Sequence, residues 1–246
     1  MKEHYQWIYG SHAVTEVLKN ENRKVVRIAI LSSQQNSHNE STALAKKRGI
    51  RLELVNKNFF SDTLGKNVVH QGIAVYASPL TKYFLEDLLN DVDDICQILI
   101  LDHISDVQNI GAILRSSAVF GCKGIILSQN ASPSPNAIMA KIASGGMEHV
   151  HLIYVTNISQ AMKQLKEHGF WCIGMDERAD EMIHQADLRG KCAFVIGSEG
   201  EGMRRLTREM CDFCVKITCS VQFQTMNASH ATSIALYEFT RQNSCN

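Results

Sequence analysis

The sequence carries no excess of charge of either sign: twenty-five Lys/Arg face twenty-five Asp/Glu over 246 residues, a formal net charge of zero. A small, purely electrostatic nucleic-acid binder shows a basic surplus, so that class is excluded. No apolar run approaches the ~20 residues of a membrane helix, and the opening MKEHYQWIYG lacks the apolar core of a secretory signal. A cytoplasmic protein is expected. Internal repeats and low-complexity segments are absent, as are the Gly-x-Gly-x-x-Gly dinucleotide fingerprint and the Gly-Lys-Ser/Thr of a phosphate loop. The eight cysteines all follow residue 95 at irregular spacings and fit free thiols of a reducing compartment. Cys211 and Cys214 form a Cys-x-x-Cys, but no second ligand pair accompanies them, so they read as thiols on a buried strand and no metal is expected.

What is present is a globular composition, with 45% hydrophobic and 20% charged residues. The length allows one large domain or two ordinary ones. Charge is divided unevenly. Residues 1–82 hold twelve Lys/Arg and six Asp/Glu, a net of +6, and residues 83–246 hold thirteen and nineteen, a net of −6. Such asymmetry suggests two domains with different partners, the basic one suited to a polyanion.

The pattern of residues 1–80 predicts a small α/β domain. Helices are expected at 13–18, 41–48 and 59–64, and strands at 25–31, 51–55 and 72–77. A polar connector follows over 81–95, with Asp91, Asp93 and Asp94. Residues 96–246 then alternate strand and helix. Short apolar runs at 98–101, 124–127, 152–155, 171–174, 193–196 and 215–217 suit a parallel sheet covered on both faces. Helices are expected at 111–120, 136–143, 159–167, 203–210 and 228–241, so a ligand belongs at the carboxyl ends of the strands.

Three strand-to-helix loops carry the chemistry. The first runs from Asp102 to Arg115, with Asn109 as the expected helix cap, Gly111 in the first turn and Arg115 able to hold a phosphate. The second is Gly197-Ser198-Glu199-Gly200-Glu201-Gly202, whose glycines permit close backbone approach and whose glutamates favour a neutral or cationic ligand. The third leads through Ile217, Thr225, Met226, Asn227 and Ser229 into the last helix, with more polar groups than capping requires.

Together the loops resemble the three motifs of the SpoU (TrmH-like) family of RNA ribose 2′-O-methyltransferases. The first motif, N-x-G-A-x-x-R, is met by Asn109, Gly111, Ala112 and Arg115. The second, G-[SA]-E-G-x-G, is met by Gly197, Ser198, Glu199, Gly200 and Gly202. The third, S-L-N-V-S-x-A, is met in part by Thr225, Met226, Asn227, Ala228, Ser229 and Ala231. The stretch from Gly200 to Glu209 looks especially like members that act on a guanosine of 23S ribosomal RNA. Tyr9-Gly10, His12-Ala13-Val14 and His70-Gln71-Gly72-Ile73-Ala74 resemble their small RNA-binding domain.

The resemblance implies a catalytic domain whose parallel sheet ends in a C-terminal trefoil knot, working as a homodimer. It implies S-adenosyl-L-methionine held by Gly197, Ser198, Gly200, Gly202, Ile217 and Met226. Arg115, Asn109, Glu199, Asn227 and Ser229 would serve the acceptor ribose. The chain departs from the pattern at Val107, where the family has proline, and at Thr218 and Cys219, where it has Pro-Met. A glycine before the third motif is also missing, which bears on the shape of the cofactor pocket. A tRNA 2′-O-methyltransferase, and a noncatalytic RNA-binding or ribosome-assembly protein of the same fold, are the other readings.

Overall fold

The computed structural model describes residues 4–220, 222 and 226–244. Its contacts divide into two compact units, Met1–Thr81 with Pro135–His149, and Lys82–Ser134 with Val150–Asn246. The segment Pro135–His149 lies within the stretch expected to be catalytic, yet it packs with the first unit.

The first unit is built on a four-stranded sheet in the order β1 (Gln6–Tyr9), β4 (Ile73–Ala77), β2 (Val25–Leu31), β3 (Arg51–Val55). Only β2 and β3 run parallel. The β1 strand was not expected; four residues are too few to display an alternating pattern. Helix α1 (Ser11–Lys19) buries Ala13, Val14, Val17 and Leu18, one stripe at helical spacing. Helices α2 (Asn39–Lys47) and α3 (Lys57–Leu64) complete the layer packing, with the Asn56 side chain accepting from the Phe59 N–H at 3.0 Å to cap α3. Helix α6 (Ala137–Ile142) contacts β1. Just beyond it, Glu148 meets Arg23 at 3.2 Å with both side chains almost fully buried.

The second unit opens with α4 (Leu85–Asn90), inside the expected polar connector. Leu85 and Leu88, three residues apart, are buried, and the Asp87 carboxylate accepts from the Phe84 N–H at 2.9 Å at the helix start. Next comes a seven-stranded sheet in the order β7 (His151–Val155), β6 (Gly124–Ser128), β5 (Cys96–Asp102), β10 (Lys191–Gly197), β8 (Trp171–Met175), β11 (Phe213–Lys216), β9 (Glu181–Met182). Every pairing in it is parallel. All six expected strands are present; two-residue β9 is additional. The run Ile98–Leu101 is fully buried, as a central strand covered on both faces must be. The chain steps outward from β5 to β6 and β7, then returns to place β10 on the other side of β5. That reversal is where open α/β sheets form their crevice.

Helices α5 (Val107–Val119) and α9 (Ala228–Asn243) pack against each other, and α7 (Ile158–Glu167) and α8 (Arg205–Glu209) complete the unit. Among the described residues no helix is long and apolar enough to cross a membrane. Cys211 lies in the turn before β11 and only Cys214 is on that strand; both are half-buried, so the expectation of two thiols on a buried strand is corrected. Burial pushes the Cys211 and Cys214 thiols up, and those of Cys122, Cys172 and Cys192 up to about 12, which leaves them protonated.

Candidate active site and cofactor cavity

The first loop leaves β5 at Asp102 and enters α5 at Val107. The helix cap is Asp106, not Asn109: its carboxylate accepts from the Gln108 and Asn109 N–H groups at 3.1 and 3.3 Å. The first four N–H groups of a helix lack partners within it, and a carboxylate on the residue just before the helix reaches them best. Val107 is thereby the first helical residue, the position proline favours, which accounts for the family's proline there. With the cap supplied by Asp106, the Asn109 side chain is free for another task.

That task is to join the three loops. The Asn109 amide donates to the Glu199 carboxylate at 2.8 Å, and the Asn227 amide donates to the Asn109 carbonyl at 2.9 Å and also to Glu199. Asn227 caps α9, its carbonyl oxygen accepting from the Ser229 N–H at 2.8 Å and from the Ser229 hydroxyl. Four of the five expected catalytic residues therefore form one hydrogen-bonded network. The fifth, Arg115, stands exposed on α5 with no carboxylate partner among the described residues. Thr225 lies outside the described residues.

The second loop folds back on itself. Ser198 and Gly202 exchange backbone hydrogen bonds at 3.1 and 2.9 Å, with Gly200 and Gly202 at φ of 86° and 71°. A Cβ on Gly197 would lie 2.1 Å from backbone atoms of Gly202 and Met203, so no side chain fits there. The fold of this loop makes one wall of a cavity of about 340 Å³ at the carboxyl ends of β8, β10 and β11. All six residues expected to hold a cofactor line it: Gly197, Ser198, Gly200, Gly202, Ile217 and Met226. Cys219, one of the departures from the family pattern, lines it too, whereas the hydroxyl of Thr218 turns to the Met182 sulfur at 3.7 Å.

Sequence reasoning missed the opposite wall. Asp176 follows β8 directly and is buried, receiving Arg178 through its backbone N–H at 2.9 Å and guanidinium at 3.0 Å, and Arg208 at 2.7 Å. Burial alone would push the carboxyl up, but the hydrogen bonds from Arg178 and Arg208 outweigh it and hold Asp176 well below the usual carboxylate range. The signal was an Asp at the carboxyl end of a parallel strand with Arg two residues on. Asp102 plays the matching part on β5: fully buried, it accepts from the Arg204 N–H and guanidinium at 2.9 and 2.8 Å and so fixes the exit of the glycine loop. Among the described residues no group of His, Cys, Asp and Glu could hold a metal ion.

Comparison with known proteins identifies the family. Residues 97–237 match the model of the SpoU rRNA Methylase family, and residues 7–83 match that of the RNA 2′-O ribose methyltransferase substrate binding domain. The chain is 36% identical over 242 residues to the 23S rRNA (guanosine-2′-O-)-methyltransferase RlmB of Escherichia coli K12, covering 97% of this chain and 99% of that protein. It is 34% identical over 246 residues to RlmB of Xanthomonas campestris pv. campestris, with 98% of each covered. In fold it is similar to the SpoU methyltransferase AviRb from Streptomyces viridochromogenes, solved with AdoMet (TM-score 0.80, 18% identity, 97% of this chain and 90% of that one). An AdoMet-bound rRNA methyltransferase from Sinorhizobium meliloti is also similar (TM-score 0.75, 17% identity, 96% and 87%). By the match of its catalytic domain over more than half its length, and by these relatives, the chain belongs to the SpoU rRNA methylase family.

Proposed function

We propose that this chain transfers the methyl group of S-adenosyl-L-methionine to the ribose 2′-hydroxyl of a guanosine in 23S ribosomal RNA, as the RlmB proteins do by name. The observation that carries the reading is the network of Asn109, Glu199, Asn227 and Ser229, which brings three sequence-distant loops together beside a cavity lined by all six expected cofactor residues. The cavity suits the donor: its walls carry Asp176, Glu177, Glu199 and Glu201 against Arg178 and Lys216, a balance that favours a cation. Gly197 lets the backbone of Gly202 and Met203 close against it and so shapes the wall, and Ser198, Gly200, Gly202, Ile217 and Met226 would hold the ligand beside it.

When bound, S-adenosylmethionine supplies an electrophilic methyl group on a sulfonium. The chain's part is alignment, which can supply several kcal/mol of barrier reduction. Arg115 clamps a phosphate of the RNA and stabilises the alkoxide developing on the 2′-oxygen; it is not the base, because a guanidinium keeps its proton. The 2′-hydroxyl proton leaves to solvent as the C–O bond forms and the C–S bond breaks. The exposure of Arg115 suits a residue that waits for substrate.

Three further parts belong to this reading. Residues 1–80, joined by Pro135–His149, form the RNA-binding domain; 81–95 lead through α4 into the second unit; and 96–246, apart from that segment, form a methyltransferase domain with a trefoil knot. The enzyme works as a homodimer, which the exposed Val119 and Tyr237 on the packed pair α5 and α9 support. It acts in the cytoplasm, where ribosomal RNA is modified.

The test is methyl transfer to unmodified 23S rRNA, with the label mapped. Label on a ribose 2′-oxygen is expected; label on a base, or on tRNA alone, overturns the assignment. Calorimetry that finds no binding of S-adenosylmethionine at millimolar concentration would leave the noncatalytic reading. Arg115→Lys is expected to lose most turnover, and near-normal turnover in Arg115→Ala would remove its role.

A further inference from the structure

A second cavity, of about 650 Å³, opens at the carboxyl ends of the same sheet, beyond the exit of the glycine loop. Its walls are Ser128 at the end of β6, Thr156 to Ser159 entering α7, and Arg204 to Thr207 entering α8. No carboxylate lines it, although the second half of the chain is net negative. The volume falls in the range of nucleotide-sized pockets.

Several polar groups of these walls have hydrogen-bonding capacity to spare. The Arg204 guanidinium is anchored by the buried Asp102 through Nε and Nη2, which leaves Nη1 without a partner among the described residues. Arg205 is largely exposed, and its one ion pair, with Glu209 at 3.4 Å, is of the weak solvent-screened kind. In α7 the Asn157 side chain accepts from the Gln160 N–H, so the N–H groups of Ile158 and Ser159 remain without partners inside the helix. Ser128 adds a hydroxyl to the wall. It is 8% exposed, it lines the cavity, and its hydroxyl has no hydrogen-bond partner among the described residues. The hydroxyl keeps contact with solvent, so an acceptor on a ligand would take the place of water there. Ile158 and exposed Leu206 add an apolar wall.

We infer that this cavity is an RNA subsite: it takes a phosphodiester flanking the target nucleotide on Arg204, Arg205, Ser128 and the first turn of α7, with the adjoining ribose or base against Leu206. A phosphate needs several converging donors, and the cavity offers them with no carboxylate on its wall, Asp102 and Glu209 lying behind the two arginines. The subsite rests on the methyltransferase reading for its purpose, but not for its test.

The test is direct binding by the full-length chain of a fluorescein-labelled single-stranded oligoribonucleotide, followed by anisotropy across a salt series without turnover. Arg205→Gln is expected to weaken binding about tenfold and to lower the salt slope by about one. Ser128→Ala, which keeps every charge, is expected to weaken it about threefold with the slope unchanged. S-adenosylmethionine binding stays at its wild-type value in both. Arg189→Gln removes an exposed, Asp187-paired charge at the amino end of β10 and changes neither quantity. Inorganic phosphate should compete with the RNA in the wild type and less in Arg205→Gln. Wild-type RNA affinity in both cavity variants overturns the subsite, as does equal phosphate competition in wild type and Arg205→Gln, or an equal loss of cofactor affinity. Absence of methyl transfer to 23S rRNA would instead strike the proposed reaction and leave these binding results standing.

Discussion

Two cavities open at the carboxyl ends of one parallel sheet, and the chain crosses from the wall of one to the wall of the other between Met203 and Arg204. The first is lined by four carboxylates and two cations, the second by two arginines and no carboxylate. A cationic methyl donor and a polyanionic acceptor need opposite surroundings, and two buried aspartates separate them. Asp176 gathers Arg178 and Arg208 on the cofactor side, and Asp102 holds Arg204 on the other. Net charge per domain, which divides +6 from −6 at residue 82, conceals this finer partition within the negative half. Ligand charge is matched over a few ångströms, because water and salt screen anything farther than about 10 Å.

The largest expected effects come from breaking the wall of the cofactor cavity and the network beside it. Gly197→Ala places a Cβ 2.1 Å from the backbone of Gly202 and Met203, so the loop must move. Overpacking against backbone costs on the order of 3 kcal/mol, about a hundredfold in cofactor affinity by calorimetry. Wild-type affinity in this variant would show that the loop does not shape the cavity. Next is Asn227→Ala, which removes the hub of the network and the cap of α9 together. Turnover should fall about a hundredfold or more, against a loss of ~1 kcal/mol in helix stability. Asn227→Asp separates the two: it still caps the helix but sets a second carboxylate against Glu199, so stability recovers and turnover does not. Recovery of both would reduce Asn227 to a cap. A smaller change is Asp176→Asn, which releases Arg178 and Arg208 and should weaken cofactor binding about fivefold to tenfold while RNA affinity holds. Equal losses in both would mean that the cavities are not independent.

Much of this site was readable in the sequence because parallel strands buried on both faces are continuous apolar runs, and each loop after them is set off by glycine or by polar residues in surplus. The runs at 98–101 and 193–196 placed the two central strands, and the loops after 193–196 and from Ile217 onward supplied every residue expected to hold the cofactor. What escaped depends on long-range geometry. Asn109 was the expected cap because it is polar and begins a helical pattern; Asp106 holds the cap in the fold, and this frees Asn109 for Glu199, 90 residues away. Asp176, Asp102 and Ser128 look ordinary in sequence, since their meaning lies in burial and, for the aspartates, in arginines brought by α8 and by the loop before it. The segment Pro135–His149 could not be assigned to the first unit without seeing Glu148 meet Arg23 in a buried pair. That pair also makes deletion of residues 1–82 a poor test of RNA binding, because it would strand Glu148 without its cation.

The smallest expected effect is on the pH dependence of the two ligand sites, and it sets both against the first unit. Asp176 is held below the usual carboxylate range, so its contribution is present above the unfolded value of about 3.8 and is lost only as pH falls through its lowered folded value. Asp176 should therefore impose no change on cofactor affinity between about pH 8 and pH 5. His70 in the first unit behaves differently. Burial lowers it, with Lys141 and Lys57 adding to the effect, and its neutral Nδ1 accepts from the Gly72 N–H at 3.0 Å while the ring stacks on Phe60 at 4.0 Å. A histidine with a lowered folded value contributes stability above its unfolded value of about 6.5 and loses it as pH falls further. Acidification should therefore loosen the first unit first. Amide exchange at Gly72 should rise on going from neutral to mildly acidic pH, and RNA affinity should weaken, while the cofactor dissociation constant stays flat. A cofactor affinity that drops across the same interval, with Gly72 still protected, would place the acid-sensitive element in the cofactor cavity and reverse the contrast.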